Sequence, residues 1–537
     1  MTLRERILAL YLVFSVCGVH HVCLAEKVVI DVGRQIVVPT REVVTPHIPW
    51  ANPLAGHKLR ILFMGRREKM REVVEFAQRL EMKYEFWAAG GTHNVESDSE
   101  IIGTTYLRGG FYKGDAIGDK IKRLKRLLHG PDYDLIVIGA RLDWRQLPLF
   151  AKYEILKRVK NGTGLINIGK SSHADEYLAA ATKKAIPVPE AVAAGVPWQA
   201  LPVFKAHKHT NDFLKSTLIA RQFGKGRIIT LTGYGITSRH LISPGFTARP
   251  LESTGAWAQH WNGRTEEYKK GFPEFTMPIK EFRRLDYDYN LAYLIKVMLF
   301  AVNRLPQITV EKDGVVREVA RDKLTEIRFS LESNANHVLS PLTAKFALRN
   351  RDNRILATWH MDGLTVKPGN GSLAFPVSNV PAGEYFADIR IERNGKVLTF
   401  GSVALRVTSK ASIAAVDLSS DHFRKQDAIT GEVRIEAGDK AAGDLMLVVR
   451  QKDTLGRLVR VETVALTGGE TTVPLKLQPI GNPVTVYQYL TIDLVSGEQV
   501  FDRKRALFSF SNLYITDTIR IGAWQRMQIS YIGWHVY

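Results

Sequence analysis

The chain has 537 residues and a formal net charge of +20, with 74 Lys and Arg against 54 Asp and Glu. Its 45% apolar content is ordinary for globular protein, and at about 100–200 residues per domain the length predicts three or four domains. Both cysteines, Cys17 and Cys23, precede residue 26, so a chain cleaved there excludes disulfides, cysteine metal sites and a cysteine nucleophile.

The first 25 residues have the form of a secretory signal peptide. Two arginines, Arg4 and Arg6, precede an apolar run over residues 7–19, and Cys23-Leu24-Ala25 closes the segment. We expect cleavage after Ala25 and a secreted or periplasmic location reached by bacterial export. An uncleaved signal anchor is the alternative, although the run is short for a membrane span. No later stretch approaches ~18 consecutive apolar residues, so no stable span is expected after cleavage.

Residues 26–57 are interpreted as short strands and a proline-rich linker. From 58 to 310, apolar strand runs alternate with amphipathic helices. This alternation predicts a doubly wound, parallel α/β sheet of flavodoxin type. Four runs are predicted as neighbouring parallel strands buried on both faces: Leu59–Met64, Leu135–Ile138, Gly164–Ile168 and Arg227–Leu231.

The most basic run of the chain, "DKIKRLKRLLHG", has apolar residues at helical spacing. This spacing favours a solvated helix face over a nucleic-acid patch, and no nucleic-acid partner is expected.

After residue 310 the apolar pattern changes to period two, with frequent turns. We predict two all-β, Ig-like sandwiches, over residues 311–410 and 411–512, which complete a multi-domain fold. Asn394-Gly395 lies between "IRIE" and "VLTF" and is a strong hairpin signal. Residues 513–537 are interpreted either as the start of a further domain or as a C-terminal tail. The further domain would be a barrel if the chain continues into a glycosidase. The uncovered aromatic residues of this segment favour the first interpretation.

Several motifs of the α/β unit resemble the class I glutamine amidotransferase-like superfamily, and within it the trimerisation-type domain of bacterial β-galactosidases. They are Tyr133-Asp134 before the strand Leu135–Ile138, the segment Val159–Leu165, and the late strand Gly224–Ile228. The resemblance covers about residues 58–305. It implies an amidotransferase-like fold, an association of copies through the α/β domain, and a link to glycoside hydrolysis.

Active members of this superfamily carry a cysteine at the turn after the "G-x-L" strand. Gly169 stands there in this chain, followed by Lys170 and Ser171. Because glycine has no nucleophile, the resemblance implies a domain without amidotransferase catalysis. If the chain is part of an enzyme, the resemblance implies a glycoside hydrolase of β-galactosidase type.

A serine-type site is the alternative, with Ser171, His173 and Asp143 as the catalytic candidates. Against it, Ser171 and Ser172 also suit the start of the helix that follows, since serine caps helix N-termini. Other polar side chains follow predicted strands and could line a ligand crevice, although polar loop residues are common. These candidates are Arg66, His93, Arg141 and Tyr234.

No metal and no cofactor is predicted. His207 and His209 have a spacing that could bring two imidazoles together, but no third ligand accompanies them. The leading hypothesis is therefore a non-catalytic portion of an exported carbohydrate-active protein, with scaffolding, oligomerisation or substrate presentation as its role. Its predicted partners are a poly- or oligosaccharide and further copies of the chain. The alternatives are an exported Ser/His/Asp hydrolase and a binding or structural module of the cell envelope.

Overall fold

The structure is a computed structural model that describes most of the chain between residues 47 and 510. The described ranges are 47–66, 71–89, 115–139, 142, 144, 147–168, 184–201, 209–231, 284–351, 353–437, 445–453, 456–466, 471–480 and 487–510. Within them are five α-helices: α1 (Arg71–Arg79), α2 (Asp115–His129), α3 (Leu149–Asn161), α4 (Thr210–Thr217) and α5 (Arg284–Ala301).

The N-terminal unit, residues 47–305, is built on a seven-stranded sheet. Its strands are β1 (Leu59–Arg66), β2 (Met82–Ala89), β3 (Leu135–Ile138), β4 (Gly164–Ile168), β5 (Lys184–Ala185), β6 (Leu218–Phe223) and β7 (Gly226–Leu231). Their spatial order is β2-β1-β3-β4-β7-β6-β5. The pairs from β2 across to β7 are parallel, whereas β7, β6 and β5 pair antiparallel.

The four apolar runs predicted as neighbouring parallel strands are β1, β3, β4 and β7, and that prediction is confirmed. The fold class predicted for the whole chain is wrong. Strands account for 54% of the described residues and helices for 19%, and no doubly wound parallel α/β domain is evident among them. The sequence interpretation missed β6, which pairs with β7 across a turn at Gly224-Lys225 and makes the sheet mixed. Its alternating buried and half-buried residues lack the continuous apolar run that marks a strand covered on both faces.

Apolar side chains cover both faces of this sheet. One core cluster contains Ile61, Val137 and Ile229 together with most apolar side chains of α5. The other contains Leu62, Ile136 and side chains of α2 and α3. Over residues 288–301 every side chain of α5 is buried and most are apolar, as expected for a helix covered on all sides.

Two sheets packed face to face form the first β-sandwich, residues 308–408. One has the order β13-β10-β8 and the other the order β12-β11-β14-β15-β9. The strands are β8 (Ile308–Val310), β9 (Val316–Ala320), β10 (Glu326–Ser333), β11 (Leu339–Asn350), β12 (Ile355–Val366), β13 (Gly369–Pro376), β14 (Gly383–Arg393) and β15 (Lys396–Thr408). Phe346 and Phe375 stack between the sheets with ring centroids 4.6 Å apart.

The hairpin predicted at Asn394-Gly395 joins β14 and β15. Both residues have positive φ, 50° and 72°, which is the backbone that a two-residue hairpin turn requires.

The second β-sandwich, residues 411–510, has sheets of order β16-β18-β21 and β17-β23-β22-β19-β20. The strands are β16 (Ala411–Leu418), β17 (His422–Phe423), β18 (Ile429–Ala437), β19 (Met446–Asp453), β20 (Leu458–Ala465), β21 (Thr472–Leu477), β22 (Tyr487–Ser496) and β23 (Gln499–Phe510). Its core is a separate apolar cluster around Ile435, Leu490 and Phe508.

Candidate functional site

Of the site residues predicted from the sequence, the structure describes Arg66, at the carboxyl edge of the parallel strands. Arg66 is the last residue of β1 and pairs with Ala89 of β2. The remaining predicted residues lie outside the described ranges: His93, Arg141, Asp143, Ser171, His173 and Tyr234, together with Gly169 and His207. His209 precedes α4, where its carbonyl accepts the amide of Phe213.

One row of residues crosses the parallel strands near that edge. Met64, Ile138, Asn167 and Thr230 are successive cross-strand partners in β1, β3, β4 and β7. The first two are apolar, whereas Asn167 and Thr230 are polar, and all four are buried. The interior of the sheet therefore becomes polar at its carboxyl end on β4 and β7.

Asn167 has an acceptor that no described group satisfies. Its side chain is 7% exposed, and Oδ1 accepts no hydrogen bond. Alternation along β4 places Asn167 on the same face as Leu165, whose core cluster also contains Trp144. The Trp144 indole N–H is likewise buried and donates to no described acceptor. An unsatisfied buried polar atom costs about 1–3 kcal/mol, so each of these two groups carries an energetic cost.

Sequence reasoning missed both residues. An asparagine inside the apolar run "GLINIG" is the signal that could have pointed to Asn167. Chemically, an amide acceptor and an indole donor in an apolar setting can orient a neutral hydroxyl or amide group. Neither group is a nucleophile or a base.

A second set of polar residues is buried between α1 and the N-terminal part of α5. Arg79 donates from Nε to Asp288 Oδ1 at 2.6 Å and from Nη1 to Glu75 Oε2 at 2.9 Å. The Asp288 carboxylate also accepts the amide of Ile48 at 3.2 Å. Since Glu75, Arg79 and Asp288 are all buried, one cation lies between two anions away from water. This arrangement fixes α1 against α5.

Next along α5, Tyr289 connects the N-terminal unit to the first sandwich. Its hydroxyl donates to Asp388 Oδ1 of β14 at 2.9 Å. The Ser402 hydroxyl donates to the same oxygen at 2.6 Å, and Arg349 Nε donates to Oδ2 at 2.8 Å. Burial raises the pKa of Asp388, and the Arg349 guanidinium opposes that rise. Burial also raises the pKa of Tyr289 well above its ordinary value, so this phenol stays a donor.

Lys296, two turns further along α5, is a buried lysine at the same interface. It is 2% exposed, its Nζ donates to the carbonyl of Ala194, and it lies 4.9 Å from the ring centroid of Phe400. Loss of hydration lowers the pKa of Lys296 to about 7. A lysine of this pKa can serve as a base where substrate reaches it. Here it is enclosed by apolar side chains of both units, so the interface holds it as a structural donor.

Two glycines bring the backbones of the two units into contact beside Lys296. Gly195 has φ of +67°, and a Cβ there would lie 2.6 Å from the Cα of Gly401. The amide of Ser402 donates to the Gly195 carbonyl at 2.8 Å. The apolar core continues across this contact, because Trp50, Tyr289, Phe386 and Phe400 belong to one cluster. The N-terminal unit and the first sandwich therefore share a core.

Within the described ranges, no three His, Cys, Asp or Glu side chains are grouped so that they could hold a metal ion. No helix in the same part of the chain is long and apolar enough to cross a membrane.

Taken together, the fold is that of a β-rich chain in which a mixed α/β sheet shares its core with the first of two sandwiches. Comparison with known proteins adds no family to this description. No family model matches the chain, and no curated protein matches it.

Among solved structures, the chain is similar to a red sea bream transglutaminase at 11% identity and a TM-score of 0.19. The match covers 42% of this chain and 35% of the transglutaminase, so the chain spans about a third of that protein's length. A CARDB domain from Pyrococcus furiosus, solved in complex with di-metal ions, matches at 13% identity and a TM-score of 0.15, over 19% of this chain and 89% of the domain. TM-scores this low carry no inference about fold or function.

Proposed function

We propose that the chain is the non-catalytic portion of an exported carbohydrate-active protein, with scaffolding, association with further copies or substrate presentation as its role. The observation that supports the scaffold role is the shared core between the N-terminal unit and the first sandwich. A buried Tyr289–Asp388 hydrogen bond and the Gly195–Gly401 contact cross the same boundary. Such a boundary holds two units at a fixed angle, as a scaffold requires.

The carbohydrate class comes from the motif resemblance, and the export comes from the form of residues 1–25. The absence of catalysis comes from Gly169, which stands where active relatives of the resembled superfamily carry cysteine. The unsatisfied Asn167 amide and Trp144 indole are groups that can each orient a neutral hydroxyl, the commonest group of a sugar.

Calorimetry of the full chain tests the scaffold role. Because the core is shared, we expect the N-terminal unit and the first sandwich to unfold in one transition and the second sandwich in another. Separate melting of the N-terminal unit and the first sandwich, in a chain that is otherwise folded, would remove the main support for the proposal.

Activity measurements test the non-catalytic assignment. We expect no ammonia release from glutamine and no turnover of aryl glycosides. Ammonia release that disappears in Ser171→Ala would instead establish the Ser/His/Asp hydrolase. Export is tested by N-terminal sequencing of the secreted protein, where residue 26 is the expected start and recovery of Met1 in the membrane fraction would contradict it.

A further inference from the structure

Strand β12 is an unusual edge of the first sandwich. It is 12 residues long, whereas no other edge strand of the described sheets exceeds eight. One side of β12 pairs with β11, and no described strand pairs with its other side. That side therefore presents a row of unpaired backbone donors and acceptors, which is a template for a further strand.

Four exposed side chains of β12 are large and apolar. Trp359 is 45% exposed and Met361 39% exposed, and Ile355 and Leu356 are exposed as well. Trp359 pairs with Phe346 of β11, and Met361 pairs with Ala344. Both partners belong to the sandwich core, so Trp359 and Met361 extend that core beyond the point where the opposite sheet ends. A single strand laid along β12 would cover them.

Charge distinguishes β12 from several other edges. Proteins protect free edges with charged residues or proline, and charged residues or proline are present on four other edge strands: Lys83 and Glu85 on β2, Arg317 and Glu318 on β9, Arg460 and Glu462 on β20, Pro474 and Lys476 on β21. Strand β12 has no Lys, Arg or Pro, and its only titratable residues are His360 and Asp362. In a chain of net charge +20, this nearly neutral strand is a place where two copies can approach without strong repulsion.

We propose that β12 pairs with β12 of a second copy of this chain, antiparallel and about a two-fold axis at His360. The sequence is self-complementary in this register. Trp359 then faces the partner's Met361, a sulfur–aromatic contact, and Thr358 faces the partner's Asp362. His360 faces the partner's His360 directly and lies diagonal to the partner's Asp362.

Pairing in this register joins two five-stranded sheets into one ten-stranded sheet and buries both apolar rows. The contact is isologous, so it closes at a dimer and does not propagate into a fibre. The proposal names the partner for the association part of the proposed function. Its geometry rests on β12 alone, so the two can fail separately.

Sedimentation of the full chain over a concentration series tests the association. We expect a monomer–dimer equilibrium that Trp359→Lys weakens at least tenfold, because a charge would be buried opposite the partner's Met361. Val461→Lys is the matched control, since Val461 is 48% exposed on the edge strand β20; it should leave the equilibrium unchanged. Calorimetry of both variants confirms that the fold is intact.

A crosslink tests the register. In a chain with Cys17→Ser and Cys23→Ser, His360→Cys places one thiol on the proposed two-fold axis, where directly opposed Cα atoms are about 4.5–5.5 Å apart and suit a disulfide. We expect this variant to form a disulfide-linked dimer on mild oxidation. Leu356→Cys, four residues off the axis, should not, because its copies would lie roughly 26 Å apart at ~3.3 Å per residue.

Three outcomes would overturn the proposal. The first is a chain that stays monomeric at concentrations on the order of 100 μM. The second is a dimer that Trp359→Lys does not weaken, and the third is equal crosslinking at positions 360 and 356. Glycan binding by a monomer that Trp359→Lys abolishes would assign the exposed tryptophan to sugar stacking and overturn it too. A chain that neither associates nor turns over glutamine or glycosides would refute β12 pairing alone. Turnover of glutamine or glycosides by an intact dimer would refute the proposed function alone.

Discussion

The Tyr289 hydroxyl donates a 2.9 Å hydrogen bond to Asp388, and this bond joins helix α5 to strand β14 across 99 residues of sequence. Both residues are buried, and Tyr289 also stacks on Phe386 with ring centroids 4.4 Å apart. The N-terminal unit is therefore attached to the first sandwich by a polar bond inside an apolar contact.

Tyr289→Phe should lower the free energy of unfolding of the coupled units by about 1–3 kcal/mol, because Asp388 loses a donor that water cannot replace. Urea denaturation measures the change. Tyr153→Phe is the control, since Tyr153 is exposed on α3, and it should change stability by less than about 0.5 kcal/mol. Equal effects of the two substitutions would show that the buried bond contributes nothing.

Lys296→Met should remove a pH dependence of stability. The pKa of Lys296 is about 7 in the folded chain and 10.5 ordinarily, so between these values the unfolded chain binds a proton that the folded chain lacks. The contribution of Lys296 to the free energy of unfolding therefore rises with pH across that window, by at most about 1.4 kcal/mol per pH unit. It is lowest below the window.

Denaturation of both proteins from about pH 7 to about pH 9.5 measures this slope, below the range in which tyrosines ordinarily titrate. We expect the slope to be smaller in Lys296→Met and its stability near pH 7 to be higher. A slope that the substitution leaves unchanged would contradict the buried state of Lys296.

Gly195→Ala should destabilise the shared core. The new Cβ would lie 2.6 Å from the Cα of Gly401, so the two backbones must separate. Gly497→Ala has a comparable positive φ, +56° against +67°, but its Cβ would meet nothing within 4 Å. Both substitutions carry the backbone strain of about 1–2 kcal/mol, and thermal unfolding should show a further loss only for Gly195→Ala. A loss of equal size in both would mean that the clash is relieved at no cost.

Arg79→Met should cost about 3–5 kcal/mol, because it leaves Glu75 and Asp288 buried without the cation between them. Arg434→Met is the matched control. It breaks the ion pair between Arg434 and Asp417, in which both side chains are exposed. The loss should cost about 0–1 kcal/mol. Chemical denaturation distinguishes the two, and a small effect of Arg79→Met would show that water reaches the triad.

The sequence by itself determined the local features that repeat with a short period. Continuous apolar runs identified β1, β3, β4 and β7 as buried parallel strands, and Asn394-Gly395 marked a hairpin. Such features can be read from a sequence because periodicity and turn chemistry depend on residues a few positions apart.

Tertiary structure alone decided which distant polar groups meet and which strand edge stays open. Nothing in the sequence near Tyr289 indicates Asp388, and the asparagine in an apolar run marks Asn167 but not the groups that enclose its amide. The antiparallel β6 and the exposed Trp359 on β12 likewise depend on which elements pack beside them. Burial and pairing between residues far apart arise from the packing of whole elements, and this packing leaves no mark in a short window of sequence.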